Sequence, residues 1–267
     1  MTQIFTLKTD YQKVCDFNQA FDFPQYDYIQ SNDFQNEKCL KLRLALIEEE
    51  LSELTTAYEK HDYIEEMDAC ADILYVAYGM AYTYKIDSDK FLNNLIKDNN
   101  LSLFQNIKNN QTETKTKLDL LDLIFGQFKK LTERISLQIL TLRSENSLLT
   151  ECCNLNNKEW INALHNLIIY VYDFQVVAKY NSDKIFTLVH DSNMTKLCKT
   201  EIEAIQTLQK YQQEFENKKS PYDSPYYYQL TDGTYSGYYI VKNKSTGKAL
   251  KSINYTEVKL NLTDFVF

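Results

Sequence analysis

Apolar residues recur along most of the chain at spacings of three and four, which mark one face of an α-helix. In the first such segment Val14, Phe17 and Phe21 form the stripe, and the helix must stop before Pro24. The predicted helices span about residues 10–21, 37–60, 63–84, 121–142, 157–179 and 200–219, and shorter ones begin near Ser88 and Ser182. Residues 105–116 are polar and have no apolar period, so they are predicted to be a linker. Because the connections between helices are mostly short, neighbouring helices should run antiparallel.

The last part of the chain breaks this helical pattern. The whole chain has only three Pro and five Gly, and three of the glycines lie in its last 35 residues. Few turn residues elsewhere favour helices over strands. The segment "GYYIVKNKSTGKALKSI", at 237–253, has the pattern of a β-hairpin with its turn near Gly247. The predicted fold is therefore all-α, with a short β-hairpin tail after about residue 217.

Two parts of the helical region resemble each other. The segment "YKIDSDKF" at 84–91 aligns with "AKYNSDKIF" at 178–186, which places Asp87 on Asn181 at a spacing of 94 residues. The preceding helix aligns at a spacing of 77, "LIEEELSEL" over "LIFGQFKKL", if the second copy has a longer loop around 144–156. This alignment predicts a first helical repeat at 1–104, a second at 117–217 and the tail at 218–267.

Two pairs of acidic residues in the first repeat can face each other. Glu50 and Glu53 are three residues apart and Asp68 and Asp72 are four apart, so each pair shares one face of its helix. Glu50 and Asp72 lie on stripes that are otherwise apolar, where an ionised carboxylate is costly unless it is paired or bound to metal. Facing helices that present two acids each make an oxygen-ligand site suited to Mg²⁺ or Mn²⁺.

The alternative for these acids is a solvated helix face. The run "EEE" could pair with nearby Lys41, Arg43 and Lys60 on the surface, as acidic runs usually do. The second acid pair argues against this, because "DACAD" is followed by the almost wholly apolar "ILYVAYGMAY". In the second repeat the acids are lost. Glu49, Glu50, Glu53, Asp68 and Asp72 align with Gly126, Gln127, Lys130, Asn162 and Asn166.

Charge and composition exclude several classes of protein. The net charge is -8 and the basic residues form no stripe, which argues against a nucleic-acid-binding surface. No apolar run is long enough to span a membrane, and the N-terminus lacks the pattern of a signal peptide. The six Cys residues have no zinc-ligand spacing. The expectation is a soluble, reduced, cytoplasmic protein that binds neither nucleic acid nor membrane.

The acidic motifs resemble those of a known superfamily. "LIEEELSEL" followed by "DACADILYVAYGMA" resembles the all-α nucleoside triphosphate pyrophosphohydrolases, which include MazG-like and phosphoribosyl-ATP pyrophosphohydrolase-like enzymes and dimeric dUTPases. Their signature is ExxE, a spacer and ExxD, and Glu50, Glu53 and Asp72 fill three of its four places. Ala69 stands in the fourth place, so the resemblance makes Asp68 the substitute ligand. "VHDSNMTKL" and "GKALKSINYTEVKL" resemble the closing motifs of the phosphoribosyl-ATP pyrophosphohydrolase-like branch.

The resemblance implies a MazG-like helical bundle that hydrolyses a nucleoside triphosphate between its α and β phosphates, as enzymes that clean the nucleotide pool do. It implies that Glu50, Glu53, Asp68 and Asp72 hold Mg²⁺, with Mn²⁺ as a substitute. Glu49, beside Glu50, would hold a further ion or orient the attacking water, so Glu49 and Glu50 are the predicted catalytic residues.

The repeat suggests how the chain would complete its site. A tandem fusion of an ancestral dimer would leave metal ligands in one half and put Asn193 and Lys196 of the other half on the nucleotide or its phosphates. One working site per chain follows, and the fused pseudo-dimer could still form a homodimer. The resemblance adds Lys251 and Tyr255 as substrate contacts, although a plain edge hairpin would explain these two residues equally well.

Two other classes of function stay open. The first is a catalytically inactive helical interaction module descended from this superfamily, since Ala69 and the second repeat show that acids have been lost. The second is a metal-storage or di-iron bundle, which needs Glu-x-x-His pairs that this sequence lacks. A divalent ion held by Glu50, Glu53 and Asp72 would favour the hydrolase, and acids that point to solvent would favour the module.

Overall fold

The computed structural model describes residues 8–26, 34–97, 115–143 and 149–265, and most of these residues are helical. The elements are α1 (Asp10–Ala20), α2 (Phe34–Lys60), α3 (Tyr63–Thr83), α4 (Ser88–Lys97), α5 (Lys117–Arg143), α6 (Leu149–Val177), α7 (Ser182–Met194), α8 (Glu201–Glu216), β1 (Pro225–Gln229), β2 (Tyr239–Asn243) and α9 (Leu262–Phe265). The predicted helical class is confirmed, and so is a small antiparallel pair of strands in the tail. Most of the predicted linker, residues 105–114, lies outside the described residues.

Helix α6 begins earlier than the sequence pattern predicts. The loop expected around 144–156 is wrong over 149–156, because these residues already belong to α6. This stretch, "LTECCNLN", contains neither Pro nor Gly, so nothing in it stops a helix although its apolar period is weak. Residues 144–148 lie outside the described residues.

The strand pairing in the tail also differs from the prediction. Strand β2 lies inside the predicted hairpin, but its antiparallel partner is β1, which precedes it in the chain. The residues after the turn at Gly247, whose φ is 73°, also pair with β2: Lys242 and Ala249 form an antiparallel bridge, and the backbone N–H of Leu250 donates to the carbonyl oxygen of Val241 at 2.9 Å. The prediction missed β1, which carries Tyr227, whose ring packs against the buried cluster that contains Ala204 of α8. Packing on a helix therefore selects β1 as a partner of β2.

The described part of the chain divides into two compact units. The first unit comprises the described residues within 1–14, 24–186 and 260–267, and the second comprises 15–23 and 187–259. The first unit contains both acid pairs of the first repeat. It also contains α5 and α6, the first two helices of the second repeat. Among the described residues, no helix is both long enough and apolar enough to cross a membrane.

The first unit is built on two helical hairpins. Helices α2 and α3 form one, α5 and α6 form the other, and α3 packs against α6 while α2 packs against α5. Helix α2 buries Ile47, Leu51 and Leu54, as the three- and four-residue spacing predicts. The hairpin turn is fixed by Asp62, whose side chain accepts a hydrogen bond from the backbone N–H of Glu65 at 3.2 Å and so caps α3.

The start of α5 is held by a buried ion pair. The ammonium of Lys117 pairs with the carboxylate of Glu66 on α3, whose side chain is only 1% exposed. The hydroxyl of Tyr180 donates to the same carboxylate at 2.7 Å. Four aromatic rings also lie between 5.2 and 5.7 Å from the ammonium of Lys117, those of Tyr58, Tyr63, Phe174 and Tyr180. Charge pairing and cation–π contacts therefore anchor the first residue of α5 in the core.

The ends of α3 and α6 repeat each other in detail. Lys85 and Lys179, 94 residues apart, both adopt the left-handed backbone conformation, with φ of 54° and 62°. In the first copy, the backbone N–H of Ile86 donates to the carbonyl oxygen of Ala81 in the last turn of α3, at 2.9 Å. In the second copy, the N–H of Tyr180 donates to the carbonyl oxygen of Gln175 in the last turn of α6, at 2.8 Å. Asp87 caps the N–H of Lys90, and Asn181 caps that of Lys184, again 94 residues later. The aligned segments therefore share their local structure as well as their sequence.

A pair of tyrosines joins the two hairpins. The hydroxyl of Tyr78 on α3 lies 3.1 Å from that of Tyr172 on α6, and these two positions are also 94 residues apart. Tyr172 in turn donates to the carboxylate of Asp10 on α1 at 2.9 Å. These two hydrogen bonds therefore link α1, α3 and α6 within the first unit.

A buried histidine fixes α4 to α6. His165 is fully buried, its Nδ1 lies 2.8 Å from the carbonyl oxygen of Ile161, and its Nε2 lies 3.1 Å from the hydroxyl of Ser88. Its ring stacks on that of Phe91 at 3.8 Å between centroids. Burial lowers the pKa of His165 to about 4, so the ring is neutral in the folded protein at neutral pH.

This histidine should make folding sensitive to acid. The unfolded chain binds a proton at His165 below its ordinary pKa of about 6.5, whereas the folded chain resists protonation until about pH 4. The free energy of unfolding is therefore expected to fall by up to about 3 kcal/mol between pH 6.5 and pH 4. Urea unfolding at both pH values should show a smaller fall for His165→Gln than for the wild-type protein. An equal fall in both proteins would contradict this assignment.

The second unit has its own small core. Its buried cluster comprises Cys198, Ala204, Tyr211, Val241 and Leu250, with tyrosine rings from β1 and β2 packed against it. Helix α8 packs against both strands. Cys198 and Tyr239 exchange two backbone hydrogen bonds, of 2.9 Å and 2.8 Å, which tie the segment after α7 to β2.

Candidate metal and substrate sites

The hairpin of α2 and α3 carries the predicted metal ligands. On α2, Glu50 is half-buried beside the buried stripe, whereas Glu49 and Glu53 are exposed. On α3, Asp68 and Asp72 are half-buried, four residues apart on one side of the helix. Glu50, Asp68 and Asp72 therefore lie at the boundary between the core and the solvent, and Glu49 and Glu53 lie on its solvent side.

The electrostatics of Glu50 show that these acids act on a common region. Burial raises the pKa of Glu50 to about 8, and the charge of Asp72 contributes next. The charges of Glu53, Glu49 and Asp68 raise it further. The charges of all four other predicted carboxylates therefore raise the pKa of Glu50. Two of these carboxylates are on α2 and two are on the facing helix α3. Such a concentration of negative charge is stabilised by protonation or by a bound cation.

The departure at Ala69 is explained by its surroundings. Ala69 is 4% exposed and lies in the core of the hairpin. Its neighbour Asp68 is half-buried and its charge reaches Glu50. The role of Asp68 as the substitute ligand stays a prediction.

The acids do not form a closed coordination shell as they stand. Within the described ranges, no group of three or more His, Cys, Asp or Glu side chains is arranged closely enough to hold one metal ion. The donor set nevertheless fits Mg²⁺ or Mn²⁺ in its chemistry, because these hard ions take carboxylate oxygens from few protein ligands and fill other positions with water and phosphate.

The predicted substrate residues come together in the second unit. The ammonium of Lys196 donates to the side-chain oxygen of Asn193 at 2.6 Å and lies 5.8 Å from the centroid of the Phe17 ring. The ammonium of Lys251 lies 4.4 Å from the ring of Tyr255. Asn193 therefore contacts Lys196, and Lys251 contacts Tyr255. The two pairs lie almost sixty residues apart in the sequence.

Ser192 joins these two pairs and was not predicted from the sequence. Its hydroxyl lies 3.0 Å from the hydroxyl of Tyr255 and donates to the carbonyl oxygen of Thr256 at 2.8 Å. The signal was available, since Ser192 lies within the quoted motif "VHDSNMTKL" beside Asn193. Lys251 is exposed and its only charged neighbour in the described residues is Glu257, at 3.6 Å. The cluster therefore presents two lysines, as a phosphate-binding surface would.

The second unit also contains a pocket. It has a volume of about 430 Å³ and is lined by α1 and by the segment that follows β1. Three aspartates, Asp16, Asp22 and Asp232, contribute to its walls, and none of the four predicted substrate residues does. An acidic wall would repel phosphates, so this pocket is not the substrate site expected from the sequence.

Comparison with known proteins places the chain in a family. The sequence profile of phosphoribosyl-ATP pyrophosphohydrolase matches residues 14–99, which contain both acid pairs. Uncharacterized protein L479 of Acanthamoeba polyphaga mimivirus is 31% identical over 250 residues, covering 91% of each chain. No solved structure matches the chain. Residues 14–99 therefore form a domain of the phosphoribosyl-ATP pyrophosphohydrolase family, consistent with the all-α nucleoside triphosphate pyrophosphohydrolase superfamily, and the chain as a whole belongs to the same family as the mimivirus protein.

Proposed function

We propose that this protein is a divalent-metal-dependent nucleoside triphosphate pyrophosphohydrolase. It cleaves its substrate between the α and β phosphates and releases a nucleoside monophosphate and pyrophosphate. The observation that supports the proposal is the half-buried position of Glu50 on α2, where the charge of Asp72 on the facing helix α3 acts on it, within the segment that matches the family profile. A fully solvated acidic face would leave Glu50 exposed, whereas Glu50 is half-buried and its burial is the main reason why its pKa is raised.

The proposed roles follow from position and charge. Glu50, Glu53, Asp68 and Asp72 hold Mg²⁺, which when bound lowers the pKa of water and neutralises charge on the phosphates. Glu49 is exposed next to Glu50 and orients the attacking water by accepting its hydrogen bond. No covalent intermediate on the protein is needed.

Lys196 and Asn193 provide the proposed phosphate contacts. The protein is strongly acidic, with a net charge of -8, so an anionic substrate needs both metal ions and local lysines to approach it. Lys251 supplies a second positive charge, and Tyr255 fixes it through its ring. Ser192 positions Tyr255 and does not itself contact the substrate.

The direct experiment is an assay of pyrophosphate release by the purified protein. The panel should contain the common nucleoside triphosphates, dUTP and triphosphates of deaminated purines, each with Mg²⁺ and with excess EDTA. Release of pyrophosphate from at least one substrate, abolished by EDTA, is the expected result. Failure of every substrate with both Mg²⁺ and Mn²⁺ would overturn the proposal.

Replacing Lys196 with alanine is expected to impair turnover without unfolding the protein. The loss of a charged contact to phosphate should lower kcat/KM by about 10- to 100-fold. Lys199→Ala, three residues further along and exposed, is the matched control and should leave kcat/KM within about twofold. Equal kinetics for Lys196→Ala and the wild-type protein, at equal stability, would remove Lys196 from the site.

The inactive interaction module is the second candidate. It is favoured by one observation, that no three potential metal ligands among the described residues surround a single point. The two candidates differ in metal binding, which calorimetry with Mn²⁺ measures without any substrate. Tight binding that Asp72→Asn removes supports the hydrolase, and absence of binding supports the module.

A further inference from the structure

Four hydroxyl side chains of the second unit join the end of α7 to a segment near the end of the tail. These four residues, called the hydroxyl cluster here, are Ser192, Thr195, Ser252 and Tyr255. The two lysines predicted to contact phosphate adjoin the cluster in the sequence. Lys196 directly follows Thr195, and Lys251 directly precedes Ser252.

Thr195 makes most of the contacts between the two segments. Its hydroxyl donates to the carbonyl oxygen of Ser192 at 2.6 Å and accepts from the backbone N–H of Thr256 at 2.9 Å. Its own carbonyl oxygen accepts a hydrogen bond from the hydroxyl of Ser252 at 2.8 Å. Two of these three bonds cross from one segment to the other, so Thr195 fixes how the segments lie on each other.

Each lysine is held by a contact within its own segment. The ammonium of Lys196 donates to the side-chain oxygen of Asn193 at 2.6 Å. The ammonium of Lys251 lies 4.4 Å from the centroid of the Tyr255 ring, and the hydroxyl of this tyrosine lies 3.0 Å from that of Ser192. The position of one lysine relative to the other therefore depends on the hydrogen bonds that join the segments.

The hydroxyl of Thr195 contributes less to folding than the other members of the cluster. Ser192 and Ser252 are 8% and 2% exposed, whereas Thr195 is half-buried and its donor Thr256 is exposed. If the Thr195 hydroxyl is removed, water can replace it at the N–H of Thr256, and the carbonyl oxygen of Ser192 keeps the backbone N–H of Thr195 at 3.0 Å. A hydrogen bond that water can replace adds little to stability, so its main effect is on geometry.

Two lysines on adjoining segments fit two phosphoryl groups better than one. An ammonium group is a compact point charge that binds phosphate oxygens, so either lysine alone can hold one phosphate. Pyrophosphate gains from both lysines only if their spacing is fixed before it binds. Lys251 also lies 3.6 Å from Glu257, but these side chains are 50% and 77% exposed, so this ion pair is weak and can yield to phosphate.

We propose that Thr195 is a positioning residue, which holds Lys196 and Lys251 at one spacing so that together they bind the pyrophosphate group of the substrate. The inference rests on the proposed function, which assigns both lysines to phosphate. Thr195 acts through these lysines and does not touch the substrate, because its hydroxyl proton is donated to Ser192. The part of the nucleotide that the second unit binds is then the two phosphoryl groups that leave together.

The test is calorimetric titration of the full chain with inorganic pyrophosphate and with orthophosphate, in buffer freed of divalent metal by a chelating resin. Pyrophosphate is expected to bind at least about tenfold more tightly, because it gains one more charged contact. Thr195→Val should weaken pyrophosphate by about 3- to 10-fold and leave orthophosphate within about twofold. Thr195→Ser keeps the hydroxyl and should bind pyrophosphate as the wild-type protein does.

Two further variants show whether the effect passes through the lysines. In a protein that already carries Lys251→Ala, adding Thr195→Val should not weaken pyrophosphate further, because the second contact is already lost. Ser252→Ala removes another bond between the segments and should show the same selective loss if Thr195→Val does not fold.

Thr200→Val is the matched control for the loss of a threonine hydroxyl. The side chain of Thr200 caps α8 by accepting from the backbone N–H of Glu203 at 3.2 Å. Its removal should lower the melting temperature and leave the affinity for pyrophosphate unchanged.

The titration is independent of the hydrolysis assay, because it needs neither metal nor turnover. The positioning role would be overturned by absence of pyrophosphate binding at millimolar concentration, or by a Thr195→Val protein that binds pyrophosphate as the wild-type protein does. It would also be overturned by an equal loss for orthophosphate, by the same loss in Thr200→Val, or by a further loss in the Lys251→Ala protein. Any of these results in a protein that releases pyrophosphate from nucleotides would refute this inference and leave the hydrolase standing.

Discussion

Replacing Glu50 with glutamine is expected to lower the rate of pyrophosphate release at least a thousandfold. Metal ions supply several kcal/mol of charge stabilisation in phosphoryl chemistry, and about 4 kcal/mol corresponds to a factor of a thousand. Glu50 is the carboxylate on which the other four act, so its loss removes the centre of the proposed site. The substitution keeps the shape of the side chain and removes only its charge and one acceptor.

Stability distinguishes this effect from misfolding. Burial and neighbouring charges raise the pKa of Glu50, which means that its ionised form destabilises the fold as the pH rises through about 8. Glutamine removes that cost, so the free energy of unfolding of Glu50→Gln should equal or exceed that of the wild-type protein at pH 8. Glu48→Gln is the matched control on the same helix, exposed and not among the charges that act on Glu50. Comparable activity of Glu50→Gln and Glu48→Gln would contradict the assignment.

Breaking the ion pair between Glu66 and Lys117 is expected to have the largest effect on stability. Removing one partner of a buried pair leaves an uncompensated charge and typically costs about 3–5 kcal/mol. Lys117→Met keeps an apolar side chain among the four aromatic rings but leaves Glu66 with only the hydroxyl of Tyr180. Guanidinium unfolding should show this loss as a lower midpoint.

Two further variants make this measurement specific. Glu159→Ala breaks the pair with Arg134, whose side chains are 44% and 49% exposed, and should cost less than about 1 kcal/mol. The double variant Glu66→Leu with Lys117→Met replaces the pair by apolar groups and should recover much of the loss. If Lys117→Met costs no more than Glu159→Ala, the pair is not an anchor of the fold.

The helical part of the fold could be predicted because it depends on local signals. The apolar stripe of Ile47, Leu51 and Leu54 is buried as its spacing requires, and the caps at Asp62 and Asp87 act within four residues of themselves. The partner of β2 could not be predicted in this way. It depends on tyrosines of β1 that pack on a helix, and no turn signal between the strands records that contact.

Among the acidic residues, too, local spacing predicted some positions, whereas others depend on contacts with distant residues. Spacing alone predicts that Glu50 and Asp72 could face each other across a hairpin, and in the structure the charge of Asp72 raises the pKa of Glu50. Metal binding by these two residues stays a prediction. Glu66, in the neighbouring run "YIEEMD", reads as one more surface acid, yet it is fully buried. Its partner Lys117 lies 51 residues away, so only the position of Glu66 on the stripe of Ala69 and Ile73 could have indicated its burial.

The central claim is that acids on α2 and α3 share divalent cations, and anomalous diffraction from crystals grown with Mn²⁺ tests it most directly. The account expects a manganese peak about 2.1 Å from carboxylate oxygens of both Glu50 and Asp72, which Asp72→Asn removes. Crystals that contain Mn²⁺ elsewhere but show no peak between these two residues would contradict it.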